Sequence, residues 1–278
     1  MSIDEDYLRL VEVLAAALPP AEITGLHLPP LVEDGAYRDE FGFVFLSDHS
    51  VGPFYVSLDP ILRTLWRRYP RLGEVRGDPI DLARGLDGGD LAERALAIGA
   101  FNALGRSLMR RAGFEPQDRG ARKEVSAASS AAPVGIVGYF GPVIDRLVDA
   151  GREVLVLERQ PERVPERPGV CLTTRVADLA PCPQVLCTAS VLINDTLDEL
   201  LDACRDSAFE LIGPTGSGLP DALFARGVRG VGGIVFDDPV RLRDALQRGE
   251  SWGSAGRKYQ IRPPDYPGVD ALIARCRR

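Results

Sequence analysis

Histidine is almost absent from this sequence; His27 and His49 are its two imidazoles. Two scattered histidines cannot build a zinc-finger pattern, and they leave little room for a Ser-His-Asp triad. Cysteine is scarce too: the five are Cys171, Cys182, Cys187, Cys204 and Cys276, with no C-x-x-C among them. An odd number at irregular spacing argues against a disulfide framework. Cys187 falls in a strand pattern and Cys204 on a helical stripe with Leu197, Leu200 and Leu201, which are places for small core residues; metal ligation is the alternative. There is no apolar run near the roughly 18 residues a membrane span needs. Nor is there a basic excess: the net charge is −7, which argues against nucleic acid or an anionic membrane as partner. The N-terminus opens on Asp4, Glu5 and Asp6 rather than a basic-then-apolar export signal, so the expected location is cytoplasmic.

What is present is 45% hydrophobic residues in 278, enough for one large or two medium domains. Apolar spacing predicts a helix over 4–18, stopped by Pro19 and Pro20. Strands are expected at Glu22–Leu28, Phe41–Leu46 and Phe54–Leu58, the last two joined by the polar connection Ser47 to Gly52. Asp59, Asp78 and Asp90 each precede an apolar periodic segment as N-caps, and the last opens a long helix from Leu91 to Arg111. Leu91, Ala95, Ile98 and Asn102 share a stripe of it. An amide there either bonds to nearby backbone or points into a cleft between domains. Residues 115 to 132 are small, polar and aperiodic. The chain therefore divides into an α+β N-terminal domain (1–120), a linker (121–132) and a C-terminal domain (133–278).

That last domain alternates strand and helix: strands at Val134–Val137, Glu153–Leu157, Gln184–Cys187, Phe209–Ile212 and Val231–Phe236, and an edge strand at Lys258–Ile261. Between Glu153–Leu157 and Gln184–Cys187 lie a proline-rich excursion, Pro161 to Pro168, and a short helical turn at Val176–Leu179. Helices are expected at Leu197–Cys204 (N-cap Thr196), Asp221–Ala225, Pro239–Gln247 (N-cap Asp238) and 268–276. The pattern is that of a Rossmann-like parallel α/β sheet. Val134 to Pro142 opens it as strand, glycine turn and helix, with Gly141 as N-cap and Pro142 at the first helical position.

In such sheets ligands bind beyond the carboxyl ends of the strands. The polar, glycine-rich segments fall there: Gly138-Tyr139-Phe140-Gly141, Glu158-Arg159, Thr188 to Thr196, and Gly213-Pro214-Thr215-Gly216-Ser217-Gly218. The first turn departs from G-x-G-x-x-G, because Ile136 stands where the first glycine belongs and Tyr139 and Phe140 crowd it, which argues against ordinary NAD binding. Glu158 is placed to accept from a ribose diol or else is a solvated charge beside Arg159. Gly213 to Gly218 offers backbone N–H groups and hydroxyls for a carboxylate or phosphate, without the Gly-Lys-Ser/Thr of a P-loop. Ser190 and Thr196 have no histidine nearby in sequence. Asp237 and Asp238 are a metal-ligand pair or a strand-end acid plus a cap.

Gly135 to Phe140, Val156 to Arg159, Asn194 to Leu201, Ile212 to Thr215 and Phe224 to Val228 come in an order that resembles the family labelled "putative heavy-metal chelation". The resemblance covers residues 133 to 262, and in the first half it rests on Glu93 to Leu104 and the sheet-then-helices order. It implies a Rossmann-like domain joined to one similar to the enolase N-terminal fold, with a small-molecule site between them. The site residues it implies are Asn102, Gly138, Glu158, Asn194, Thr196, Gly213 and Thr215; Tyr139, Gly141 and Pro214 line the same turns. The connection carrying Asp48 and His49 has no counterpart in the resemblance. The leading expectation is binding of a small anionic, metal-chelating metabolite in an inter-domain cleft. The alternatives are a nucleotide-dependent enzyme, using a dinucleotide or a methyl-donor nucleoside, and a non-catalytic metal chaperone or scaffold. A metal ion or a nucleotide is the expected cofactor, and a homodimer the expected assembly.

Overall fold

In the computed structural model, which describes residues 2–19, 21–32, 40–87, 89–118 and 132–277, Ser2 opens helix α1 (Ile3–Ala17). Its side chain accepts from Glu5 N, and Asp4, Glu5 and Asp6 occupy the first turn, where the helix dipole favours acids. Ile3, Tyr7, Leu10, Val11 and Leu14 form its buried face. Strands β1 (Ile23–His27), β2 (Phe41–Leu46) and β3 (Val51–Tyr55) follow as an antiparallel sheet in the order β1-β2-β3. The third strand starts at Val51, earlier than its sequence suggests, and runs through Pro53. It is an edge strand, the place in a sheet where a missing N–H is tolerated.

Helices α2 (Ile61–Arg68), α3 (Pro79–Ala83) and α4 (Leu91–Arg111) complete the first unit. This is the sheet-then-helices order that the enolase-like resemblance implies. Asp78 caps α3, and Asp90 caps α4 by accepting from Ala92 N and Glu93 N. Asp59 does not cap α2; Pro60 holds the N-cap position with no side-chain bond. Nor does α4 carry one apolar stripe. Ala92 and every residue from Arg94 to Met109 are buried, while Leu91 is exposed. A helix buried on all sides lies between layers, and α4 packs on β2, β3, α2 and α3 of its own unit and on the second unit behind it.

The linker expected over 121–132 lies outside the described residues except for Ala132. Beyond it come β4 (Val134–Val137), α5 (Gly141–Asp149), β5 (Val154–Leu157), β6 (Val170–Thr173) and β7 (Gln184–Thr188). The chain continues through α6 (Leu197–Ala203), β8 (Ala208–Ile212), α7 (Asp221–Ala225), β9 (Gly230–Val235), α8 (Pro239–Gln247), β10 (Arg257–Ile261) and α9 (Val269–Cys276). The strands form a seven-stranded sheet in the order β10-β9-β8-β7-β4-β5-β6, parallel except for β10. Strand β6 was not expected; it is a four-residue edge on β5, directly after the proline-rich excursion, and its residues are exposed or half-buried. Helix α5 begins at Gly141 with Phe140 as N-cap, one residue earlier than expected. The Phe140 carbonyl accepts from both Val143 N and Ile144 N, which sets the helical register there.

The two units share a core. Tyr7 of α1 meets Phe101 of α4 edge-on at 4.8 Å, and Phe43 of β2 meets Phe236, beyond β9, at 5.5 Å. No helix among the described residues is long and apolar enough to cross a membrane.

Candidate functional site

The order of the large sheet reverses between β4 and β7, which makes the carboxyl ends of these strands the topological switch point. Gly138 leaves β4 with φ +86°, and a Cβ there would lie 3.1 Å from Thr188 Cγ2 at the end of β7. Both the left-handed backbone and the close approach require glycine. The Thr188 and Ser190 hydroxyls are 3.0 Å apart, and Ser190 N donates to Thr188 Oγ1 at 3.3 Å. Gly213, at φ +129°, follows β8 with Ala189 beside it, since a Cβ on Gly213 would meet Ala189 Cβ at 3.8 Å. Gly138, Thr188, Ala189, Ser190 and Gly213 are therefore contiguous. Thr188 opens one of the polar strand-end segments read from the sequence but was not singled out as a site residue; its signal is a Thr-x-Ser at a strand end, where both hydroxyls fold into one turn.

Tyr139 and Phe140 are half-buried beside this rim, and the Tyr139 ring lies against Gly141, where an added Cβ would be 3.2 Å from its hydroxyl. That ring crowds the start of α5, the position a dinucleotide pyrophosphate needs. Glu158 is buried rather than solvated. Its N donates to Thr173 O, Oε1 accepts from Gln160 N at 3.1 Å, and it makes no ion pair with another described residue.

The other candidates lie along the seam with the first unit. Thr196 is at the N-cap of α6 but does not cap it; its hydroxyl donates to Asn194 Oδ1 at 2.6 Å. The loop carrying them is fastened by Arg94 of α4, which donates to Leu192 O at 2.8 Å and to Asp4 Oδ1 at 2.6 Å and lies 3.6 Å from Asp195. Asn102 is buried and donates to Pro53 O (2.7 Å) in one unit and to Thr215 O (2.9 Å) in the other. It thus bonds to backbone, and it does so across the seam. Pro214 and Thr215 belong to a tight turn in which three amides are already engaged: Gly213 N goes to Gly232 O, Gly216 N to Gly213 O and Ser217 N to Pro214 O. The expected anion cradle at Gly213 to Gly218 has those amides turned inward, and Thr215 and Ser217 are buried under α4.

A bound metal finds no ready-made ligand set here. Among the described residues no three His, Cys, Asp or Glu side chains are grouped to hold one. Burial pushes the Cys187 thiol well above its usual range and the Cys204 thiol to about 11, away from the thiolate that binds metals. Asp238 caps α8, while Asp237 pairs with Arg106 at 3.2 Å and Arg257 at 3.4 Å.

A model of the DUF364 family, described as "Putative heavy-metal chelation", matches residues 124–263. An uncharacterized protein of Methanocaldococcus jannaschii is 28% identical over 181 residues, 63% of this chain and 68% of that protein. Two solved DUF364 structures of unknown function share the fold. The one from Pyrococcus horikoshii superposes with TM-score 0.67 at 19% identity, over 94% of this chain and 99% of its own. The one from Desulfitobacterium hafniense DCB-2 superposes with TM-score 0.62 at 17% identity, over 93% and 98%.

Proposed function

Because the chain belongs to the DUF364 family, we propose that it binds a small anionic metabolite able to chelate metal, at the rim where β4 and β7 end. The observation that carries this reading is the junction of Gly138 with the Thr188–Ser190 hydroxyl pair at the switch point of the sheet. A left-handed glycine lets a ligand approach the backbone, and two hydroxyls beside it donate to carboxylate oxygens. Ligand oxygens, rather than side chains of this protein, would then hold the metal. Asn102, bonded to Pro53 O and Thr215 O, and Arg94, bonded to Leu192 O and Asp4, keep the first unit against one side of the rim.

Native mass spectrometry of gently purified protein tests this, and also reads its assembly state. An acidic organic adduct, with or without a metal-sized increment, is the expected result. The adduct is lost in Ser190→Ala, which leaves Thr188 to cap the turn, and in Thr188→Val, which also removes the acceptor for Ser190 N. An adduct untouched by both substitutions would remove the rim from the proposal.

A second reading, a nucleotide-dependent small-molecule enzyme, draws on Glu158, buried at the end of the second parallel strand where a ribose diol is often held. Thermal-shift measurements with dinucleotides and methyl-donor nucleosides near millimolar separate the two. A ligand that binds the folded state raises the midpoint by mass action, and a rise abolished by Glu158→Gln favours the second.

A further inference from the structure

A pocket of ≈ 300 Å³ lies between the β2–β3 hairpin of the first unit and α8 of the second, away from the β4–β7 rim. This is within the size range of small-ligand sites. Phe45, Leu46 and Val240 give it apolar walls, and Val240 is 63% exposed, a large apolar side chain left uncovered at the opening. Arg243 reaches over it with Cζ 4.2 Å from the centre of the Phe45 ring, and Nη2 donates to Thr24 Oγ1 at 3.1 Å. Thr24 in turn donates to Phe45 O at 3.3 Å, so its hydroxyl is fixed on both sides.

The guanidinium is thus held in one orientation by a ring and a hydroxyl, yet it forms no ion pair among the described residues. A stacked, pre-oriented arginine with spare N–H groups is suited to a planar carboxylate. The second independent sign is Ser50. It lines the pocket and is fully buried, and its hydroxyl makes no hydrogen bond. The hydroxyl faces the Asp48 carboxyl and helps to hold it below its usual range, but forms no well-aligned hydrogen bond to it. Asp48 itself is engaged elsewhere, by Ser107 Oγ at 2.5 Å, by Ser50 N at 3.0 Å and by Arg111 at 3.8 Å. A buried hydroxyl without a partner is costly to leave so, and a ligand oxygen would satisfy it.

We propose that this inter-unit pocket is a second ligand site, specific for a small carboxylate with an apolar body: Arg243 takes the carboxylate, Phe45, Leu46 and Val240 cover the body, and Ser50 bonds a polar atom. The pairing of Arg243 with Ser50 separates it from a merely greasy groove, which would bind neutral and anionic molecules alike.

The test uses the full chain, with benzoate as probe and benzamide as its neutral match, followed by amide-resolved NMR titration near millimolar concentration. Benzoate should perturb Phe45 to Ser50 and Val240 to Arg243, and benzamide should bind about tenfold more weakly, the scale of a charged hydrogen bond. Arg243→Gln should weaken benzoate by about tenfold, with Arg243→Lys between it and the native protein because it keeps charge without the planar fork. Ser50→Ala should weaken benzoate binding, since it removes the buried hydroxyl that the ligand would engage. Ser190→Ala and Thr188→Val at the other rim should leave the benzoate titration unchanged, so the two sites fail or stand separately. Equal binding of benzoate and benzamide, indifference to both Arg243 substitutions, or no response of the pocket amides would each overturn the proposal.

Discussion

His27 is the residue near neutral pH whose titration is most changed by where it sits. Its ring is packed near Phe43, 6.1 Å between centres, and loss of water pushes its pKa down to about 4. An exposed histidine titrates near 6.5. Between those two values the unfolded chain takes up a proton that the folded chain refuses. Stability is therefore full above about pH 6.5 and falls as the pH drops toward about 4. Asp48 does not blur this window. Burial pushes its carboxyl up, but the bonds from Ser107 and Ser50, with Arg111 nearby, outweigh burial and hold it below its usual range. Its contribution is lost only at lower pH. Urea midpoints at pH 7 and pH 5 should fall in the native protein and fall less in His27→Gln. An equal fall in both would assign the dependence to other groups.

At the scale of elements, the fold turns on how closely α4 approaches β3. A Cβ on Gly52 would lie 1.9 Å from Gly99 O, and one on Gly99 would lie 2.4 Å from Phe54 Cδ1. These two glycines let a helix and a strand touch backbone to backbone. Gly99→Ala should improve intrinsic helix propensity by about 1 kcal/mol yet lose net stability by about 1–3 kcal/mol through overpacking against the buried Phe54 ring. Chemical denaturation reads the balance, and a more stable variant would mean that Phe54 can move aside. The bounds of α4 were legible because Asp90 is a strong cap, and Phe41–Leu46 because its apolar run is unbroken. The burial of α4 on every face was not legible, since Ala, Gly and buried Arg carry no stripe to mark a second packing surface. Strand β3 was displaced by Pro53, which sequence rules place outside strands unless the edge is already known. Strand β6 was missed because Val170 to Thr173 is short and follows the prolines of 161 to 168 directly, although most of its residues are apolar.

Across the whole molecule, the placement of the first unit decides which strand ends stay open. Strand–helix alternation was enough to foresee a Rossmann-like sheet and a polar rim along it. It could not reveal that α4 and the β2–β3 hairpin cover the loops after β8 and β9 and leave the β4–β7 end outside that cover. Asn102 is the point at which this placement is most exposed to test. Its amide bonds Pro53 O and Thr215 O at once, with 2% of the residue exposed. Asn102→Ala leaves both carbonyls short of a partner, at a cost of about 1–3 kcal/mol for each that water cannot reach. Around it, Arg226 joins Asp6 of α1 to Asp198 of α6 at 2.8 Å each, but these partners are 19% to 40% exposed in their side chains. Pairs with that much solvent contribute little and are weakened by salt. The native chain should therefore unfold in one transition, with far-ultraviolet dichroism and tryptophan fluorescence coincident, because the units share aromatic core across the seam. Asn102→Ala should lower that midpoint strongly and Arg226→Gln only slightly, the latter loss vanishing at high salt. The opposite ranking would mean that charge pairs, rather than the buried amide and the rings packed around it, set the units against each other.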